Sequence, residues 1–108
     1  SLKADKYVDD LRYASAYIRE KSAISGWGRA KISYMLAAKG IDRAVISEAS
    51  KDADPAASSR KLEAVLRNKY KSLSDDPAAR LKLLRFALGR GYSYDEVREV
   101  VERVMAGE

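Results

Sequence analysis

The apolar positions of this chain recur at helical spacing from end to end, and no segment alternates with a period of two. The clearest case is Val97, Val100, Val101, Val104 and Met105, at i, i+3, i+4, i+7 and i+8, with Glu99, Glu102 and Arg103 filling the opposite face. This spacing predicts an amphipathic final helix. Leu11, Ala14 and Ile18, with Tyr17 beside them, predict one from about Asp9 to Ala23. Ile32, Met35 and Leu36 predict another from about Arg29 to Lys39. Leu62, Val65 and Leu66 mark a helix over 56–71, and Leu83, Leu84, Ala87 and Leu88 mark one over 77–90. With a short helix at 43–51 the total is six, and the predicted fold is all-α.

The punctuation supports these boundaries. Gly40 and Gly91 each follow a basic residue, Lys39 and Arg90, at the end of an apolar stripe, where a left-handed glycine closes a helix and the cation faces the negative end of its dipole. Asp42, Asp76 and Ser93 stand where N-caps are wanted. Pro55 and Pro77 suit first-turn positions, which need no amide hydrogen. The acidic pairs Asp9-Asp10 and Asp75-Asp76 are read as helix-start residues rather than acid/base dyads, because adjacent residues do not share a helical face.

An internal repeat follows from the same positions. Arg29-Ala-Lys31-Ile32, Met35-Leu36, Lys39-Gly40-Ile41 and Ile46 fall on Arg80-Leu-Lys82-Leu83, Phe86-Ala87, Arg90-Gly91-Tyr92 and Val97 at a constant offset of 51, which also carries Leu11 onto Leu62. Each unit is then three helices, over 1–52 and 53–108. Units of this size stack their apolar faces on a neighbour, so an elongated array is expected rather than a sphere.

Composition removes most chemistry. The 108 residues contain no Cys and no His, which excludes disulfides, thiolate zinc sites and imidazole catalysis. No cofactor, metal or small-molecule substrate is expected, nor an enzyme. No run approaches the ~20 apolar residues that span a bilayer, so a cytoplasmic chain without membrane contact is expected. The start at Ser1, already close to a periodic segment, reads as a piece of a longer protein. The Gly26-Trp27-Gly28-Arg29 segment lacks the spacing and the Gly-Lys-Ser/Thr ending of a nucleotide loop. Its amides, next to Arg29 and Lys31, remain candidates to receive a single phosphate or carboxylate. Trp27 reads as a lid on the core or as a stacking platform.

Charge refines the picture. The formal net charge is +5, yet Arg60 to Arg90 holds nine basic residues against three acidic ones, and Asp95 to Glu108 holds five acidic against two basic. A basic tract beside an acidic last helix attracts a polyanion.

Three stretches then resemble one family. They are Asp9-Asp-Leu-Arg-Tyr-Ala-Ser-Ala-Tyr-Ile-Arg19, Gly26-Trp-Gly-Arg-Ala-Lys-Ile-Ser-Tyr-Met-Leu-Ala-Ala-Lys-Gly-Ile41 and Phe86-Ala-Leu-Gly-Arg-Gly-Tyr-Ser-Tyr-Asp-Glu-Val97. Their ordered combination is similar to the RecX regulators of the bacterial recombinase RecA. The resemblance implies tandem three-helix repeats, of which this chain holds the second and third, with the tail of the first in Leu2 to Val8. It also implies a protein of DNA repair, recombination and the SOS response. Such a protein lies in the groove of the RecA–DNA filament, inhibits filament growth, ATPase, strand exchange and coprotease activity, and binds DNA weakly and non-specifically by itself. On this reading Arg29, Lys31, Lys39, Arg80, Lys82, Arg85 and Arg90 face filament or DNA, and the chain is a monomer. Tyr13, Tyr17, Ile32, Met35, Leu36, Leu83 and Phe86 are assigned to packing. The alternatives are a free-standing DNA-binding module that enters a groove with a recognition helix, and a helical protein-interaction adaptor.

Overall fold

Six helices make up the structure, a computed structural model that describes the backbone of residues 2–107 and the side chains of residues 4–107. Ser1 and Glu108, the outer limits of the two expected repeats, lie outside the described residues. The helices are α1 (Leu2–Ala23), α2 (Arg29–Ala38), α3 (Arg43–Ser50), α4 (Pro55–Lys71), α5 (Ala79–Leu88) and α6 (Tyr94–Ala106), and no strand occurs among the described residues.

The start of α1 is the main departure from expectation. Nothing between Leu2 and Val8 breaks a helix, so α1 runs back from the expected Asp9 to Leu2. Asp9 and Asp10 therefore lie inside α1 and cap nothing. At α5, Pro77 stands in the preceding turn rather than in the helix, whose first residue is Ala79. Asp76 still ties down that turn, accepting the amide hydrogen of Ala78 at 2.8 Å. Asp42 occupies the N-cap position of α3 without a side-chain cap bond. Where the full chemistry is present the ends are as read. Ser93 and Glu96 form a capping box on α6, and Asp54 accepts from Ala56 at 3.0 Å beside Pro55 at the start of α4.

The helices bury their stripes in two separate clusters. Ala14, Ile18, Ile32, Leu36, Val45, Ile46 and Ala49 form one within α1–α3. Leu62, Leu66, Leu83, Leu84, Ala87, Val97, Val100, Val101 and Val104 form the other within α4–α6. In the first unit α1 packs on α2 and α3, in the second α4 packs on α5 and α6, and α1 meets α4 between the units. The result measures 60 × 21 × 20 Å. Its radius of gyration is 16.2 Å, against about 13 Å for a compact domain of this length. The tandem, elongated array is thus present.

A seam joins the two units. The Gly28 amide donates to the Arg90 carbonyl at 2.6 Å, the Tyr92 hydroxyl to the Gly26 carbonyl at 2.9 Å, and the Lys31 ammonium to the Gly89 carbonyl at 3.2 Å. Backbone meets backbone here. A Cβ at Gly28 would overlap the Gly91 carbonyl, and one at Gly91 would overlap Lys31. Gly91 also holds φ of +94°, where a side chain is strained.

Candidate nucleic-acid interface

The seam closes one expected site. At the start of α2 the Gly28 amide is taken by Arg90 and the Trp27 amide by the Lys21 carbonyl at 2.8 Å. Gly91 covers the Lys31 backbone. The glycine-rich corner that could have received a phosphate instead receives the second unit.

Beside it the structure assembles a band of rings and cations. The rings of Tyr13 and Tyr17 lie 6.0 Å apart, and Tyr17 meets Trp27 edge to face at 6.4 Å. Lys21 and Lys31 lie 4.8 and 4.4 Å from the centre of the Trp27 ring. Lys21 and Lys39 lie 5.5 and 5.8 Å from that of Tyr17. In the second unit Lys69 and Arg90 cover Phe86 at 4.9 and 4.7 Å. The seam makes the two groups contiguous, since Lys31 reaches Gly89 and the Arg90 backbone reaches Gly28. None of these five cations has a carboxylate partner among the described residues. Each ring holds a cation by its quadrupole, worth roughly 0.5–1 kcal/mol at an exposed site. That attraction leaves the positive charge uncancelled.

The seven basic residues of the sequence reading fall into three groups. Lys31, Lys39 and Arg90 belong to the band. Arg80 and Lys82 do not stand free: Arg80 is bonded to Glu102 and Lys82 to Asp76. Lys82, together with the Ala78 amide, holds the Asp76 carboxyl below the ordinary aspartate range. Arg29 and Arg85 are exposed and carry no ion pair among the described residues. Arg29 lines a cleft of about 750 Å³ between the units together with Ser33, Ser50, Ser58 and Tyr92. Burial raises the Tyr92 phenol above the ordinary tyrosine value, with a hydrogen bond donated by Ser58 opposing it.

Lys21 and Lys69 are not among the contact residues expected from the sequence, although Lys69 belongs to the basic tract and each lies near an aromatic position in the helical pattern. Of the residues assigned to packing, Ile32, Leu36 and Leu83 are buried, Tyr17, Met35 and Phe86 half-buried, and Tyr13 exposed. Trp27 packs against the first core and carries two lysines, so it is both lid and platform. Among the described residues no group of His, Cys, Asp or Glu could hold a metal ion, and no helix is long and apolar enough to cross a membrane.

Comparison with known proteins agrees with this architecture. Residues 9–49 match the family model for the second three-helix domain of RecX, and residues 59–101 match that for the third. The regulatory protein RecX of Clostridium acetobutylicum is 32% identical over 97% of this chain and 51% of its own length. That of Clostridium tetani is 32% identical over 93% of this chain and 47% of its own length. That of a Mycobacterium species is 33% identical over 94% of this chain and 58% of its own length. The chain thus spans about half the length of the curated relatives it matches. No solved structure matches it.

Proposed function

The chain belongs to the RecX family, and from that premise we propose that it regulates RecA by occupying the groove of the RecA–DNA filament. Occupancy there limits filament growth, ATP hydrolysis, strand exchange and coprotease activity without any catalytic step of its own. The setting is the cytoplasm, the partners are RecA and, weakly and non-specifically, DNA, and the working form is a monomer. We divide the chain into repeats at 52/53, in the short link between α3 and α4.

The observation that carries this reading is the band of uncancelled cations over rings, which crosses the seam along a 60 Å array. Basic side chains that hold no carboxylate suit a polyanion that extends along the array, because the charges follow a phosphate backbone whatever its sequence. We assign contact to Lys31, Lys39 and Arg90, with Lys21 and Lys69 beside them. Arg29 and Arg85 are outlying contacts, and Arg80 and Lys82 are the weakest of the original seven because each already holds a carboxylate.

Co-sedimentation with RecA–single-stranded DNA filaments, read together with an ATPase trace, tests the proposal. Binding with slowed ATP hydrolysis is expected. Failure to bind at several-fold excess would remove the filament as target. Sequence-dependent affinity for naked duplex without RecA would favour the helix-in-groove module, and an indifference to both would favour the adaptor.

A further inference from the structure

The 51-residue repeat shows where the two units fill equivalent positions differently. In the second unit Leu84, Val101 and Val104 are buried in the core of α4–α6. Their counterparts in the first unit are Ser33, Ser50 and Ala53. Three branched aliphatic side chains thus give way to two hydroxyls and a methyl, and all three replacements line the cleft of about 750 Å³ between the units. What the second unit fills, the first leaves open.

Charge differs at matching positions as well. In the second unit Arg80 is bonded to Glu102. Arg29 stands at the position of Arg80, but Lys51 stands at that of Glu102, and Lys51 is itself held by Glu48 at 2.8 Å. The guanidinium of Arg29 therefore reaches the cleft with no ion pair among the described residues.

The remaining walls select what can enter. Ile18 and Ile32 present an apolar surface. Ser22 is 8% exposed, and its hydroxyl makes no hydrogen bond among the described residues, so a buried polar group faces the cleft unused. Asp54 and Glu96 also line the cleft, and both are engaged: Asp54 accepts from Ala56 and pairs with Arg60 at 3.5 Å, and Glu96 closes the capping box with Ser93. Their charges repel a second acidic group while Arg29 receives a first. Apolar walls with a few convergent polar groups, in a volume within the ~300–1,000 Å³ of ligand pockets, suit a small molecule.

We infer that the cleft binds a small organic monoanion, with its apolar body against Ile18 and Ile32, its one acidic group on Arg29 and its polar edge on the hydroxyls of Ser22, Ser33 and Ser50. Gly28, Gly91 and Tyr92 line the cleft and also form the seam, so the ligand touches both units at their junction and fixes the angle between them. Binding there needs neither RecA nor DNA.

Fluorescence titration of the free chain with anilinonaphthalene sulfonate, a flat apolar body carrying one sulfonate, tests the site. Phenylnaphthylamine, a similar body without the charge, serves as the neutral counterpart. The sulfonate should bind saturably, one per chain, with helical circular dichroism unchanged. Arg29→Gln, at an exposed residue without an ion pair, should weaken the sulfonate about tenfold, as loss of a charge-assisted contact does, and leave the affinity of the neutral dye unaltered. Ser33→Leu combined with Ser50→Val, which gives the first unit the residues of the second, should abolish binding of both dyes. If that pair unfolds the chain, Ser33→Leu alone should weaken both dyes severalfold. Absence of saturable binding to the folded chain, equal affinity of the sulfonate for Arg29→Gln and the unaltered chain, or undiminished dye binding by a folded Ser33→Leu variant would each overturn the inference.

Discussion

In the first unit Lys21, Lys31 and Lys39 lie over the rings of Tyr17 and Trp27 with no carboxylate attached, whereas in the second Arg60, Arg67, Arg80, Lys82 and Arg103 are each held by one. Glu63 alone binds Arg67 at 3.1 Å and Arg103 at 2.9 Å, joining α4 to α6. The sequence count favoured the opposite assignment, because the residues from Arg60 to Arg90 are the most basic stretch of the chain. A formal excess of nine to three measures composition. The field available to a partner depends on what each cation already holds, and rings leave far more of it than carboxylates do.

The largest test of this contrast concerns the two cores. Leu36 and Leu83 are both fully buried, one in each cluster, so Leu36→Ala and Leu83→Ala should each cost about 2–5 kcal/mol. Hydrogen exchange should show the loss centred on α1–α3 for the first and on α4–α6 for the second. Equal loss in both units would mean that the seam makes them one cooperative body.

The two left-handed glycines come next. Gly40→Ala should cost only the backbone term, about 1–2 kcal/mol. Gly91→Ala adds the collision with Lys31 and should cost clearly more in thermal melts while also lengthening the particle in small-angle scattering. Equal costs at the two positions would show that the seam contributes nothing to stability.

Charge removal is subtler. Replacing Lys31 and Lys39 by Ala should lower the log–log salt slope of single-stranded DNA binding by about two, roughly one per phosphate contact. Replacing Arg80 and Lys82 should leave it nearly unchanged. A reversed result would move the contact from the band to the face that carries Arg80 and Lys82.

The smallest effect belongs to Glu63. Hydrogen bonding from Arg103, helped by Arg67, holds its carboxyl below the ordinary glutamate value although burial pushes it up. A depressed carboxylate stabilises the fold above its unfolded value and loses that contribution as pH falls through the folded one. Acid titration should therefore loosen α4 from α6 only below the ordinary glutamate range. Glu63→Gln, at a partly exposed site, should cost about 0.2–1 kcal/mol at neutral pH and flatten that acid limb.

What could be read in advance follows from which interactions are local. The ends at Gly40, Pro55 and Ser93 are legible because a cap or a left-handed turn is decided within four or five residues, whereas α5 ends at Leu88 with Gly89 as its cap, ahead of the expected Gly91. The start of α1 is less legible because the stretch from Leu2 to Val8 holds neither glycine nor proline to mark a boundary. The seam was hidden for another reason. Gly28 and Gly91 are distant in sequence, and close backbone approach leaves no periodic trace. The one available hint was the unequal repeat itself, with glycine on one side and Ala79 on the other. The Lys21–Trp27–Lys31 arrangement likewise depends on how a loop folds back over its helix.

That arrangement has an optical consequence. Trp27 is the sole indole of the chain, and it stands at the boundary between the units with one ammonium group at 4.8 Å and another at 4.4 Å from its centre. Emission from an indole responds to charge near its ring, and Lys31 is also the residue that reaches across to Gly89. The protein thus carries an intrinsic dye: its fluorescence should report, in a single unlabelled chain, the parting of the two units and any polyanion that meets the lysines.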